Sequence, residues 1–245
     1  MNTGVIVLAH RKAPEVEPVA GWYADRLRER GRRNVRVAYH EGSPSVEEVL
    51  RDIRVPGTNN TVVVLPLLLS EGDISTWLMP KGMGMPDNCC SFTYITGTHI
   101  AIRFSTAFGK MEALSEVLMH RMSEAGAEKD DGILLIGRGS RLDMCMDTVR
   151  HHADCIRDRG FCNVEYNTLK HSDRSIRESV ASLKEKGVKR IVVLPMFLFE
   201  GRSVKDIIPD LVNEASEGIP VICARCIGCD DILLDDMDRK IPEDW

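Results

Sequence analysis

The 245-residue sequence repeats itself, and no other feature limits its possible folds so sharply. Gly4-Val-Ile-Val-Leu-Ala-His10-Arg matches Gly132-Ile-Leu-Leu-Ile-Gly-Arg138-Gly at an offset of 128 residues. Arg28-Glu-Arg-Gly31-Arg-Arg-Asn34-Val matches Arg157-Asp-Arg-Gly160-Phe-Cys-Asn163-Val at 129, and Ser45-Val-Glu-Glu matches Ser175-Ile-Arg-Glu at 130. Val64-Leu-Pro66-Leu-Leu-Leu-Ser-Glu-Gly72 matches Val193-Leu-Pro195-Met-Phe-Leu-Phe-Glu-Gly201 at 129, with Pro80 aligned on Pro209 and Gly97 on Gly228. Blocks in one order at a nearly constant offset mark a duplicated domain. The expected division is a first half over 1–125, a second over 130–235, and a peripheral acidic tail over 236–245.

Each half alternates strands and helices. Residues 4–9 form a short, nearly all-apolar run, the mark of a strand buried on both faces of a parallel sheet. A helix is expected from about Glu15 to Arg30, stopped by Gly31, and a second strand over 34–39. Ser45 and Glu48 have the spacing of a capping box. Residues 61–69 and 91–96 are expected as the third and fourth strands, and 104–125 as a long helix into the second half, where 133–136, 164–167, 190–198 and 220–224 repeat the strands. The expected fold is α/β, two tandem related half-domains, each a four-stranded parallel sheet flanked by helices.

Composition removes several function classes. The longest apolar run, Val62–Leu69, is broken by Pro66 and far short of the roughly 20 residues that cross a bilayer. The N-terminus lacks the basic start of a signal peptide, so a soluble, cytoplasmic protein is expected. A net charge of −5 and 5% aromatic residues disfavour a nucleic-acid partner. The basic residues of Asp25-Arg26-Leu27-Arg28-Glu29-Arg30 alternate with acids like a solvated helix face.

Ligands of such sheets bind outside the carboxyl ends of the strands. In the first half those ends carry His10-Arg11-Lys12, His40-Glu41-Gly42-Ser43-Pro44, Glu71-Gly72-Asp73 and Gly97-Thr98-His99. In the second, Gly137-Arg138-Gly139-Ser140-Arg141 follows a strand and opens a helix. It lacks the third glycine of a dinucleotide fingerprint and the lysine of a P-loop, so a nucleotide cradle is the lesser reading.

These motifs resemble the class II chelatases that insert a divalent metal into sirohydrochlorin, the cobaltochelatase and ferrochelatase relatives of the cobalamin and sirohaem pathways. That family has an apolar strand ending in His-Gly-Ser, a second ending near Glu before Pro-Ser, and a third reading Val-x-Pro-hydrophobic-Phe-Leu-x-x-Gly-x-His. Here His10 holds the first place, Glu41 precedes Gly42-Ser43-Pro44-Ser45, and VVVLPLLLSEGDISTWLMP and IVVLPMFLFEGRSVKDIIP repeat the third, so the likeness covers roughly 4–230. The family's second His falls on Ile74 in the first copy and Ser203 in the second, and Arg138 replaces the first His there.

The resemblance implies His10 and Glu41 as catalytic residues and metal ligands, with His99 as a replacement third ligand. Cobalt is the first candidate, nickel and iron the alternatives, since imidazole and carboxylate suit all three. Arg11, Lys12, Arg138, Ser140 and Arg141 are the expected partners of the tetrapyrrole's carboxylate arms, in a cleft between the halves. An Arg at the ligand position cannot bind a cation, so the first half is expected to do the metal chemistry and the second to hold carboxylates. Cys223-Ala-Arg-Cys226-Ile-Gly-Cys229 is half of an iron–sulfur signature. With no fourth Cys close downstream, buried thiols are the preferred reading over a cluster. Cys89-Cys90 is expected as a strand-entry pair, and the Met79–Met85 stretch as an ordinary loop rather than a macrocycle cover. A monomer or homodimer is expected, and the competing function is a protein of the same fold that binds a tetrapyrrole or metal without catalysis.

Overall fold

Val5, Ile6, Val7, Leu8 and Ala9 are almost wholly buried, as a strand covered on both faces must be. They form the middle of β1 (Asn2–Arg11) in a computed structural model that describes residues 2–53, 60–72, 74–82, 93–95 and 100–242. The chain divides into two compact units, Met1–Gly109 with Asp231–Trp245, and Lys110–Asp230.

In the first unit β1 is followed by α1 (Glu17–Glu29), β2 (Val35–Glu41), α2 (Val46–Ile53) and β3 (Asn60–Pro66). A π-helical turn over Ile74–Leu78 runs into the short α3 (Met79–Gly82). Then come β4 (Thr93–Ile95) and β5 (Ile100–Phe104), giving the sheet order β2-β1-β3-β5-β4. Four strands run parallel, and β4 pairs antiparallel with β5 at the edge. In the second unit α4 (Glu112–Glu124) precedes β6 (Gly132–Gly137), α5 (Met144–Asp158), β7 (Val164–Thr168), α6 (Ile176–Glu185) and β8 (Ile191–Pro195). A second π-helical turn, Ser203–Ile207, leads into α7 (Ile208–Ser216) and β9 (Val221–Cys223), giving the all-parallel order β7-β6-β8-β9. Helix α8 (Asp231–Arg239) follows β9.

Local chemistry sets these elements. Ser45 and Glu48 form the expected capping box, Ser45 N–H donating to the Glu48 carboxylate (2.6 Å) and Glu48 N–H to Ser45 Oγ (3.2 Å). Ser175 and Glu178 repeat it on α6. Gly137 is glycine because α5 lies against it: an added Cβ would meet a Val149 methyl at 2.6 Å. On the other sheet face Leu134 and Ile136 pack with Val180 of α6 and with Ile208 and Val212 of α7.

The structure corrects three expectations. The fourth parallel strand of the first unit is β5, not 91–96; within that stretch Thr93–Ile95 forms the antiparallel edge, and the helix expected over 104–125 begins only at Glu112. The equivalent of Gly228 is therefore Gly109, not Gly97: Phe108 N–H donates to Leu68 O as Ile227 N–H does to Phe197 O (3.0 and 2.8 Å), and both glycines have positive φ (57° and 63°). Thirdly, α8 is not peripheral. Its Leu233, Leu234 and Met237 are buried, it packs on α1, and Arg26, Arg30 and Arg32 pair with Asp231, Asp235 and Asp238 at 3.1, 2.6 and 2.6 Å. The basic stripe of α1, expected as a solvated face, receives this acidic helix.

Candidate functional site

The parallel register of β1 and β2 sets Ala9 opposite Tyr39 and Arg11 opposite Glu41, so His10 and His40 lie side by side. Residues two apart share a face, so both imidazoles continue the row of Leu8 and Ala38 beyond the core. Their rings stack at 5.9 Å between centroids with 24° between planes. Glu41 ends β2, its carbonyl accepting a hydrogen bond from Lys12 N–H (2.9 Å), and its Oε1 lies 3.7 Å from His10 Nε2. That is too long for a hydrogen bond. It is within the about 3–4.2 Å that two ligands of one ion span when each bond is about 2.1 Å. Gly42, at φ 131°, lets the chain turn away from Lys12, whose Cβ an added side chain would meet at 2.7 Å.

His99 lies outside the described residues. The sequence reading puts it after a fourth parallel strand over 91–96, whereas β4 within that stretch runs antiparallel. The fourth place at the carboxyl edge belongs to Phe104, followed by Ser105 and Ala107. There Glu71 Oε1 accepts a hydrogen bond from Ala107 N–H (2.8 Å), while Glu71 Oε2 is buried with no hydrogen-bond partner among the described residues. No ligand role attached to Glu71 from sequence, since its importance rests on a contact with the loop after the unrecognised β5. Among the described residues no three His, Cys, Asp or Glu side chains are disposed to hold a metal ion.

Arg11 and Lys12 leave β1 toward solvent and pair loosely with Glu15 (3.6 Å) and Glu17 (4.0 Å). In the second unit Arg138 and Arg141 are exposed and have no acidic partner among the described residues. Gly139, at φ 87°, packs so closely on β7's exit that an added Cβ would fall on the Lys170 carbonyl oxygen. Ser140 Oγ accepts from Leu142 N–H (3.3 Å), shaping the turn into α5.

The three cysteines do not form a ligand set. Cys226 is buried, with Sγ 3.9 Å from Leu198 O, and burial pushes its thiol up to about 11. Cys223 is exposed and Cys229 half-buried, and partial loss of solvent around the sulfur raises both thiols above their ordinary range. Their loop is held by Arg121 of α4, itself only 2% exposed, which donates to Cys226 O (3.1 Å) and Ile227 O (2.6 Å) and pairs with Asp230 (3.0 Å). Cys89-Cys90 and Met83–Met85 lie outside the described residues.

The two units, each with its ligand edge at the carboxyl ends of parallel strands, define a duplicated α/β protein of chelatase-like fold. The solved structure of SirB from Bacillus subtilis with Fe3+ is similar over 98% of this chain and 94% of its own, with a TM-score of 0.80 and 17% identity. A structure of CbiX, described as the terminal enzyme of sirohaem biosynthesis in denitrifying bacteria, is similar over 97% of both chains with a TM-score of 0.65 and 14% identity. The CbiX family matches residues 4–125 and 132–244, and this chain belongs to it. Sirohydrochlorin cobaltochelatase of Sulfolobus acidocaldarius is 31% identical over 44% of this chain and 88% of its own length. The chloroplastic sirohydrochlorin ferrochelatase of Arabidopsis thaliana is 28% identical over 57% of this chain and 60% of its own.

Proposed function

We propose that this protein is a chelatase that inserts a divalent metal ion into sirohydrochlorin or a closely related tetrapyrrole. Cobalt is the first candidate, with nickel and iron as alternatives, in cobalamin- or sirohaem-type biosynthesis in the cytoplasm. The observation that carries this reading is the pairing of His10 with Glu41 at the carboxyl edge of β1 and β2, within reach of one ion.

Insertion exchanges two pyrrole N–H protons for one metal ion. The protein must hold the ion loosely enough to release it and must accept protons near the ring. A neutral imidazole and a carboxylate supply both abilities, as ligands before transfer and as bases afterwards. Two protein ligands leave most of the coordination sphere to water, which the ring nitrogens can displace. In this reading Arg11 and Lys12 beside His10, and Arg138, Ser140 and Arg141 in the second unit, bind the acetate and propionate arms. The protein acts as a monomer or homodimer.

The loss of the family's second His supports a second reading, a protein that binds the tetrapyrrole or the metal without turnover. Ile74 and Ser203, which stand at that position, each open a π-helical turn. An anaerobic assay with sirohydrochlorin and Co2+, Ni2+ or Fe2+, followed by absorbance, separates the two. Multiple turnovers per protein support the enzyme; a spectral change that stops at stoichiometry supports the binding protein.

A further inference from the structure

Among the described residues four large apolar side chains are exposed: Leu78 (46%), Met144 (37%), Ile207 (37%) and Leu211 (41%). Isolated exposed apolar residues are ordinary on a protein surface. These are not scattered. Leu78 and Ile207 occupy the same place in the two repeats, each closing the π-helical turn after the third parallel strand. Leu211 is four residues beyond Ile207, on the same face of α7. Met144 is the first residue of α5, directly after the Arg138–Arg141 loop.

The order β7-β6-β8-β9 puts the switch point of the second sheet between β6 and β8, and sheets of this kind take ligands in the crevice outside the carboxyl edge at such a point. The chain leaves β6 toward α5 on one face of the sheet and leaves β8 toward α7 on the other, as the packing of Gly137 under Val149 and of Ile136 with Ile208 requires. Met144 therefore stands on one side of this crevice, and Ile207 with Leu211 on the other. Arg138, Arg141, Arg202 and Lys205 are exposed in the same two segments, with no ion-pair partner among the described residues.

We propose that Met144, Ile207 and Leu211 are the apolar contacts by which the second unit holds the ring of the tetrapyrrole, with Arg138 and Arg141 taking its carboxylates. This rests on the tetrapyrrole reading above. The charge pattern selects the occupant. Glu200, Asp206 and Asp210 are exposed in the β8–α7 segment, which removes the uniformly basic field a nucleic acid needs. Carboxylates on an apolar disc match cations at the crevice mouth flanked by apolar side chains, whereas a simple anion gains nothing from Ile207 or Leu211. Burying one such side chain against a ligand is worth roughly tenfold in affinity.

The test is a titration of metal-free sirohydrochlorin, followed by absorbance, on the full chain and on Ile207→Ser/Leu211→Ser. Both positions are exposed, so the variant keeps its core. Circular dichroism and thermal unfolding verify this, and Ile207→Met/Leu211→Met must retain affinity. The expected result is a tetrapyrrole Kd raised tenfold or more in the serine variant, with binding of Co2+ alone unchanged. Unchanged tetrapyrrole affinity overturns the inference. So does a dimer, seen by sedimentation, that the serine variant dissociates while tetrapyrrole binding persists, because a second copy then covers the patch. A wild-type protein that binds no tetrapyrrole fails the functional reading itself, which separates the two failures.

Discussion

A histidine at a strand end is a candidate ligand; what raises His10 above that is the register that sets it beside His40 and the reach of Glu41 to 3.7 Å. His10→Ala is expected to abolish metal insertion while the circular dichroism spectrum stays unchanged, and near wild-type turnover would remove His10 from the mechanism. Arg138→Ala should weaken tetrapyrrole binding by about 1.5–3 kcal/mol if the contact is charge-assisted, and leave Co2+ affinity nearly unchanged in a metal-only titration. The thiols supply a third outcome. Cys226 is buried and pushed up to about 11, so alkylation at pH 8 should modify exposed Cys162 well before Cys226 in the native protein. His10 and Glu41 were legible in the sequence because each follows directly from a recognisable strand. His40's partnership and Glu71's buried oxygen were not, since both depend on which strand lies alongside.

At the scale of elements, alternation and apolar runs located β1, β2, β3 and all four strands of the second sheet. They failed where two short strands compete for one place. Residues 93–95 and Ile100–Phe104 are both strand-forming, and only the pairing of β5 with β3 decides which runs parallel. Spacing alone aligns Gly97 with Gly228; hydrogen bonding moves the match to Gly109. The same correspondence relates Arg121 to Lys240, whose Nζ donates to Thr106 O (3.3 Å) and lies 2.8 Å from Asp236. Each clamps the loop after its unit's fourth parallel strand. Arg121→Ala removes the side-chain donors to Cys226 O and Ile227 O in a buried place, and should destabilise the protein by about 2–4 kcal/mol in urea unfolding. Asp131, at the entry to β6, accepts two hydrogen bonds from Arg190, which hold its carboxyl below the usual range. A depressed folded-state value stabilises above the ordinary carboxylate range, and that stability is lost as pH falls through the lowered value. Asp131→Asn should therefore flatten the acid side of the stability–pH curve.

For the whole molecule, the repeat predicts two α/β sheets, and the structure adds that a repeat and a compact unit are different segments of chain. Helix α4, which completes the first repeat, packs on α5 and β8 of the second unit, and α8, which completes the second repeat, packs on α1 of the first. The acidic tail looks peripheral when its charges are weighed alone; the basic residues in and after α1 are their partner. A chain ending at Asp230 stops directly after the second sheet, so a reading by sequence position would locate the damage there. The packing puts it in residues 1–109. The truncation exposes the sites of Leu233, Leu234 and Met237 and removes the Lys240 clamp on Thr106, a loss of about 5 kcal/mol from apolar burial alone, comparable to the whole stability of a small domain. Hydrogen exchange on the truncated chain should show amides of β1, β3 and β5 losing protection while those of β6 and β8 keep theirs. Arg26→Ala/Arg30→Ala/Arg32→Ala in the full chain removes only half-exposed ion pairs, so its effect on the same amides should be far smaller. Loss of protection in β6 and β8 instead would mean that α8 stabilises the unit it follows in sequence, contrary to its packing on α1.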